Sequence, residues 1–139
     1  MKGPAIFLAQ FIRNEPPFNS LEGLCKWAAG HGFEGIQLPT LDSWLIDLSL
    51  AAESQTYCDE LNGKIGAYGL EISELSTHLQ GQLVAVHPAY DMLFDAFAPQ
   101  SVQGNPQARK EWAINQLRLA AKASANLGLE AHVTFSGAL

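Results

Sequence analysis

One histidine, His78, lies where two predicted elements meet, at the end of a predicted strand and the start of a polar loop. A neutral imidazole in such a place can bind a metal, exchange protons or hold a substrate hydroxyl. It can equally be a structural histidine that is hydrogen-bonded to backbone at a strand end. His132 is a weaker candidate, because it lies further inside its predicted strand, nearer the interior, where a satisfied core histidine is the simpler interpretation. We interpret His31 and His87 as ordinary turn and loop residues.

A carboxylate, Glu74, is the second candidate. Side chains two residues apart in a strand share a face, so Glu74, Ser76 and His78 point the same way. A carboxylate on the inner face of a closed sheet has to be paired or hydrogen-bonded. Two interpretations stay open for it: a structural network with neighbouring polar groups, or support of His78 or of a substrate hydroxyl.

Other polar side chains recur near the carboxyl ends of the predicted strands. These are Gln10 in the first strand, Gln37 in the second, and Ser136 in the fourth, where it shares a face with His132. We expect Gln10, Gln37 and Ser136 to position substrate hydroxyls together with His78. The chain contains no HExxH, GxSxG, Walker or ExxH pattern, so its motifs alone do not identify a reaction.

Strands and helices alternate along the chain. Helices that connect consecutive strands require a parallel α/β sheet. An irregular insertion separates the third strand from the last helix. Strands are predicted over residues 5–12, 33–38, 70–78 and 131–136, helices begin at an Asn19 N-cap, around Tyr57 and at Pro106 after an Asn105 cap, and the insertion spans residues 79–104.

Two α/β architectures fit this order. An open doubly wound sheet predicts a glycine-rich phosphate loop after the first strand, but residues 13–17 contain no glycine. A (β/α)8 TIM barrel, with polar side chains at the carboxyl ends of its strands, fits better. Such a barrel takes about 250 residues and eight strands. We therefore expect residues 1–139 to be an incomplete barrel, its N-terminal half with the first four strands, and the last predicted strand to continue into a missing half.

The composition is that of a globular, acidic domain. The chain is 47% hydrophobic and its net charge is −6, which argues against a nucleic-acid surface. Neither a signal peptide nor an apolar run long enough to span a membrane is present in the sequence, so we predict a cytoplasmic protein without a membrane partner. Cys25 and Cys58 have no metal-ligand or redox spacing and are predicted to be buried, reduced thiols.

Four segments resemble bacterial sugar phosphate isomerase/epimerase proteins of the xylose-isomerase-like TIM-barrel superfamily: residues 35–39, 70–82, 87–91 and 132–139. The resemblance implies a divalent metal (Mn, Mg or Co, with Zn in the related endonuclease IV branch) and proton transfer next to a carbonyl. The family's metal ligands and catalytic carboxylates come mainly from later strands. The resemblance therefore assigns no metal ligand to this chain, and no metal is expected to bind it tightly. Only His78 corresponds to a family position, on the substrate side of the pocket.

These observations lead to one main hypothesis and two alternatives. The main hypothesis is the N-terminal part of a metal-dependent sugar or sugar phosphate isomerase/epimerase, inactive in this form. The first alternative is an endonuclease IV-like nuclease that acts at abasic sites. The second is a non-catalytic half-barrel that self-associates through the open edges of its first and last strands.

Overall fold

A computed structural model of the protein describes residues 3–138 and confirms the predicted α/β fold with an all-parallel sheet. The four strands lie in the order β1-β2-β3-β4, so that each pairs with its neighbour in sequence. They are β1 (Ala5–Phe7), β2 (Gly35–Pro39), β3 (Glu71–Thr77) and β4 (His132–Thr134).

Helices connect all of the strands. They are α1 (Leu21–Gly30), α2 (Leu48–Glu53), α3 (Gln55–Gly66), α4 (His78–Gln82), α5 (Asp91–Phe94) and α6 (Pro106–Asn126). Short 3-10 turns occupy Ala9–Phe11, Pro88–Tyr90, Asp95–Phe97 and Gln100–Val102. The predicted irregular insertion is thus built of α4, α5 and three of these turns.

Side-chain caps explain where several helices begin. Asn105 Oδ1 accepts a hydrogen bond from Ala108 N at 3.1 Å, with Pro106 in the first turn of α6, as predicted. The cap of α1 is Ser20 and not Asn19: Ser20 Oγ accepts from Gly23 N at 3.1 Å. Ser54 caps α3, which corresponds to the predicted second helix, and the shorter helix α2 precedes it.

Three strands end earlier than predicted, and each error concerns a candidate site residue. The first strand stops at Phe7, and a 3-10 turn follows, so Gln10 does not lie on a strand. The third strand stops at Thr77, and His78 is the first residue of α4. The fourth strand stops at Thr134, before Ser136. After β1 the apolar run continues into the helical turn, so hydrophobic pattern alone does not mark that boundary.

The main core lies between the helices and one face of the sheet. Ile36 pairs with Ile72 and Leu38 with Leu75 in the parallel register, and these four side chains are at most 8% exposed. They pack in one cluster with buried residues of α1, α3 and α6, including Cys25 and Cys58. Both thiols are therefore buried, as predicted, and burial raises the pKa of Cys25 to about 11.

The opposite face of the sheet is more polar. Phe7 pairs with Gln37, and Gln37 pairs with Glu74 across a register shift in β3. None of these three side chains belongs to the main apolar cluster of the described residues. The sheet is therefore sided, with an apolar face under the helices and a mixed polar face opposite.

The insertion has a small core of its own. Leu83, Ala98 and Ala113 are buried together, and Phe94 and Phe97 pack against them. In the described residues 3–138, no helix is long and apolar enough to cross a membrane.

Candidate functional site

A cleft of about 210 Å³ opens beyond the carboxyl ends of β1, β2 and β3. Loops that follow parallel strands meet at this end of a sheet, which is where α/β proteins bind ligands. The polar side chains on its wall are Thr40, Asp42, Ser76, His78 and Gln80. His78, the strongest candidate from the sequence, thus lies in a concave site.

The ring of His78 lies between two aromatic rings. The centroid of Phe7 is 5.1 Å away at an interplanar angle of 66°, and that of Phe135 is 5.1 Å away at 52°. Phe7 ends β1 and Phe135 follows β4, so the two outer strands of the sheet both contribute to the environment of His78. The imidazole is held in position by packing and is only partly exposed.

Buried polar groups form one wall of the cleft. Thr40 Oγ1 donates to the backbone oxygen of Ser76 at 3.1 Å, and Gln80 Nε2 donates to Thr40 Oγ1 at 3.2 Å. All three residues are at most 4% exposed. The Ser76 hydroxyl is buried and has no protein partner among the described residues. The sequence placed Ser76 on the face of His78, but it provided no signal for Thr40, which only the β2–β3 pairing brings near.

Glu74 and Gln37 interact on the polar face of the sheet. Gln37 Nε2 donates to Glu74 Oε1 at 2.6 Å, while Gln37 Oε1 is buried without a partner in the part of the chain that the structure describes. This contact belongs to the first interpretation of Glu74, a network with neighbouring polar groups. Substrate binding by Gln37 and support of a substrate by Glu74 stay predictions.

Gln10 and Ser136 are not brought into the cleft. Gln10 is exposed on the 3-10 turn after β1, and Ser136 is exposed beyond the end of β4. Neither side chain lines the cleft. Their predicted contacts with a substrate therefore have no support in the geometry of this site and stay predictions.

His132 lies on the helix side of the sheet, because it pairs with Leu75 and shares that residue's face. Its Nε2 is 2.8 Å from Thr77 Oγ1 and its Nδ1 is 3.3 Å from Ser124 Oγ. Both ring nitrogens therefore have protein partners, as expected of a structural histidine, and the strand pairing puts His132 on the face of Leu75 rather than on that of Ser76. Burial, and secondarily the charge of His78, lowers the pKa of His132.

The other histidines have local contacts. His31 Nδ1 is 2.8 Å from the backbone oxygen of Trp27, and His87 Nδ1 accepts from Ala89 N at 3.2 Å. Both histidines are exposed.

Within residues 3–138, no group of three or more His, Cys, Asp or Glu side chains is arranged to hold a metal ion. In comparisons with known proteins, no family model and no curated sequence matches this chain. The chemistry of the lining residues is therefore the basis for a function of the cleft.

Proposed function

We propose that this chain forms the N-terminal half of a sugar or sugar phosphate isomerase/epimerase with a (β/α)8 barrel of the xylose-isomerase-like kind. The proposal rests on the strand order of the sheet and on the difference between its two faces. Its four parallel strands follow the order of the sequence, and the main core lies on one face. A doubly wound sheet reverses its strand order at a switch point and carries helices on both faces.

The position of the cleft supports the same proposal. Barrel enzymes bind substrate at the carboxyl ends of their strands, and the cleft with His78 occupies that end here. Within such a site, His78 and Ser76 are suited to hold sugar hydroxyls, and the Phe7 and Phe135 rings to hold His78 in place. We assign no catalytic step to this chain, because the described residues provide neither a metal-ligand group nor a pair of carboxylates at the cleft.

The proposal is tested by deuterium exchange. Proton transfer next to a carbonyl incorporates solvent deuterium at that carbon, whichever sugar stereoisomer is formed. The open reading frame that contains residues 1–139 is expressed to its stop codon and incubated in D2O with Mn²⁺, Mg²⁺ or Co²⁺ and a panel of ketoses and ketose phosphates. Proton NMR then reports loss of the carbon-bound proton.

We expect exchange from a product longer than 139 residues and none from residues 1–139 alone. Rapid exchange by the 139-residue chain would show that the site is complete in this half. A frame that ends at Leu139, or a longer product that exchanges no ketose, would overturn the proposed isomerase.

An open half-barrel that assembles with a second copy of itself is the second candidate. Among the described residues, β1 and β4 each pair on one side only, which leaves two parallel strand edges. An endonuclease IV-like function is less favoured. The net charge is −6, and no Lys or Arg of the described residues lines the cleft.

A further inference from the structure

The cleft carries a negatively charged side chain. Asp42 is one of the lining side chains, and no lysine or arginine in residues 3–138 joins it there. Arginine or lysine side chains supply the positive charge in many phosphate sites. This cleft presents a carboxylate, which repels a phosphate dianion.

The cleft also has a hydroxyl group that makes no hydrogen bond within the described residues. Ser76 is 2% exposed, and its Oγ has no partner within the described part of the chain. A buried hydroxyl without a partner costs about 1–3 kcal/mol. Its neighbour Thr40 does not satisfy it: Thr40 Oγ1 donates to the Ser76 backbone oxygen and accepts from Gln80, but it forms no hydrogen bond with Ser76 Oγ in the described residues. The Ser76 hydroxyl is therefore available to a polar group that enters the cleft.

The cleft is small. A volume of about 210 Å³ lies below the roughly 300–1,000 Å³ of sites that enclose drug-sized ligands. Such a cleft accommodates one end of a monosaccharide. Its lining combines six apolar residues with five polar ones, which suits a molecule that has both C–H and O–H surfaces.

We propose that this cleft binds the uncharged, hydroxyl-bearing end of a sugar, that Ser76 Oγ is its hydrogen-bonding anchor, and that a phosphate group is excluded from it. This inference rests on the proposed function for the identity of the ligand as a sugar. It adds the orientation: a phosphorylated substrate binds with its phosphate directed away from Thr40, Ser76 and Gln80.

The test is ligand titration of the ¹⁵N-labelled 139-residue chain, followed by amide NMR. The probes are D-fructose, D-fructose 6-phosphate and inorganic phosphate. We expect both sugars to shift the amides of Thr40, Ser76 and Gln80, and inorganic phosphate to leave them unchanged. Loss of one hydrogen bond weakens binding about threefold to tenfold, so Ser76→Ala is expected to raise the Kd for D-fructose by that factor.

Ser73→Ala is the matched control. Ser73 lies in the same strand and also has a buried hydroxyl without a partner in the described residues, but it does not line the cleft. We expect this variant to bind D-fructose as the unmodified chain does. Thermal unfolding provides a second readout: Ser76→Ala removes an unpaired polar group, so its Tm should be equal or higher.

Three results would overturn the inference: inorganic phosphate shifts the amides of the cleft, no sugar shifts them, or Ser76→Ala binds D-fructose unchanged. A lower Tm for Ser76→Ala would also count against it, because it would show a hydroxyl paired within the fold. The deuterium-exchange experiment is independent. Sugar binding without exchange by the longer product would overturn the isomerase proposal and leave the cleft assignment standing.

Discussion

Thr77 and the residue after it, His78, lie on opposite sides of the sheet at the end of β3. Thr77 lies toward the helices and contacts His132 at 2.8 Å, while His78 lies at the cleft against Phe7. Side chains alternate between faces in a strand, so a shift of one residue decides which face of the sheet a side chain occupies. His132 consequently has protein partners at both ring nitrogens, whereas His78 packs between aromatic rings.

The lowered pKa of His132 predicts a pH-dependent stability. A group whose native pKa lies below its ordinary value of 6.5 stabilises the fold fully above pH 6.5 and progressively less as the pH falls through its native pKa. Within that window the free energy of unfolding changes by at most about 1.4 kcal/mol per pH unit for one such group. We expect denaturant unfolding to show this loss as the pH falls below 6.5.

His132→Gln removes the titrating group while keeping hydrogen-bonding capacity toward Thr77 and Ser124. We expect its unfolding free energy to fall less over the same pH range. His31→Gln is the matched control, because His31 is exposed, and it should keep the pH dependence of the unmodified chain. Equal pH slopes for the two variants would contradict the assignment to His132.

At the scale of elements, α6 holds the insertion onto the βα units. Arg109 of α6 is 2% exposed and forms an ion pair with Asp91, and its Nη1 lies 2.9 Å from Asp95 Oδ1. The same nitrogen donates to the backbone oxygen of Asp91 at 2.9 Å. Asp95 Oδ2 in turn accepts from Gly104 N at 2.7 Å. Arg109 therefore binds Asp91 and Asp95 directly, and Asp95 connects it to Gly104 at the other end of the segment.

Arg109→Met is expected to destabilise the protein by about 3 kcal/mol, the lower part of the range for breaking a buried ion pair. The lower part applies because Asp91 and Asp95 are 26% and 24% exposed. Hydrogen exchange should accelerate in residues 83–104 and remain slow in β2 and β3, because the insertion has a separate small core.

Lys110→Met is the control for the lost charge, since Lys110 is the next residue of the same helix and is exposed. We expect its stability to change by less than about 0.5 kcal/mol. Equal destabilisation by the two variants would show that net charge, and not the ion pair, supports the insertion.

At the scale of the whole molecule, the sheet combines a covered face with two open edges. On its polar face, buried oxygens of Gln37 and Ser76 have no protein partner within the described residues. Phe135 next to the cleft is 48% exposed. Both features agree with the proposed half-barrel, whose polar face would meet further protein or a ligand.

Sedimentation velocity tests the second copy. If β1 and β4 edges pair between molecules, the 139-residue chain should sediment as a dimer or larger species at tens of micromolar and dissociate on dilution. Ala5→Pro, at the start of the edge strand β1, removes a backbone N–H and should weaken that association. A monomer at all concentrations would leave the single-chain barrel as the remaining assembly.

The sequence by itself determined the local features of this protein. Alternating apolar runs and helical caps predicted a parallel α/β sheet, and Asn105 with Pro106 predicted the start of α6, because these signals act over a few residues. The burial of Cys25 and Cys58 followed from their apolar neighbours on predicted helices. The end of the third predicted strand put His78 at the mouth of the sheet, one residue beyond the observed end of β3.

The tertiary structure decided the chemistry of the cleft. Thr40 meets Ser76 and Gln80 across separations of 36 and 40 residues, and Gln37 meets Glu74 across 37. Such contacts depend on strand pairing and on the register shift in β3, which no local pattern encodes. The same pairing puts His132 on the helix side of the sheet. The early end of β1 puts Gln10 on a turn outside the cleft. Local propensity therefore determined which elements form, and long-range register determined which side chains meet.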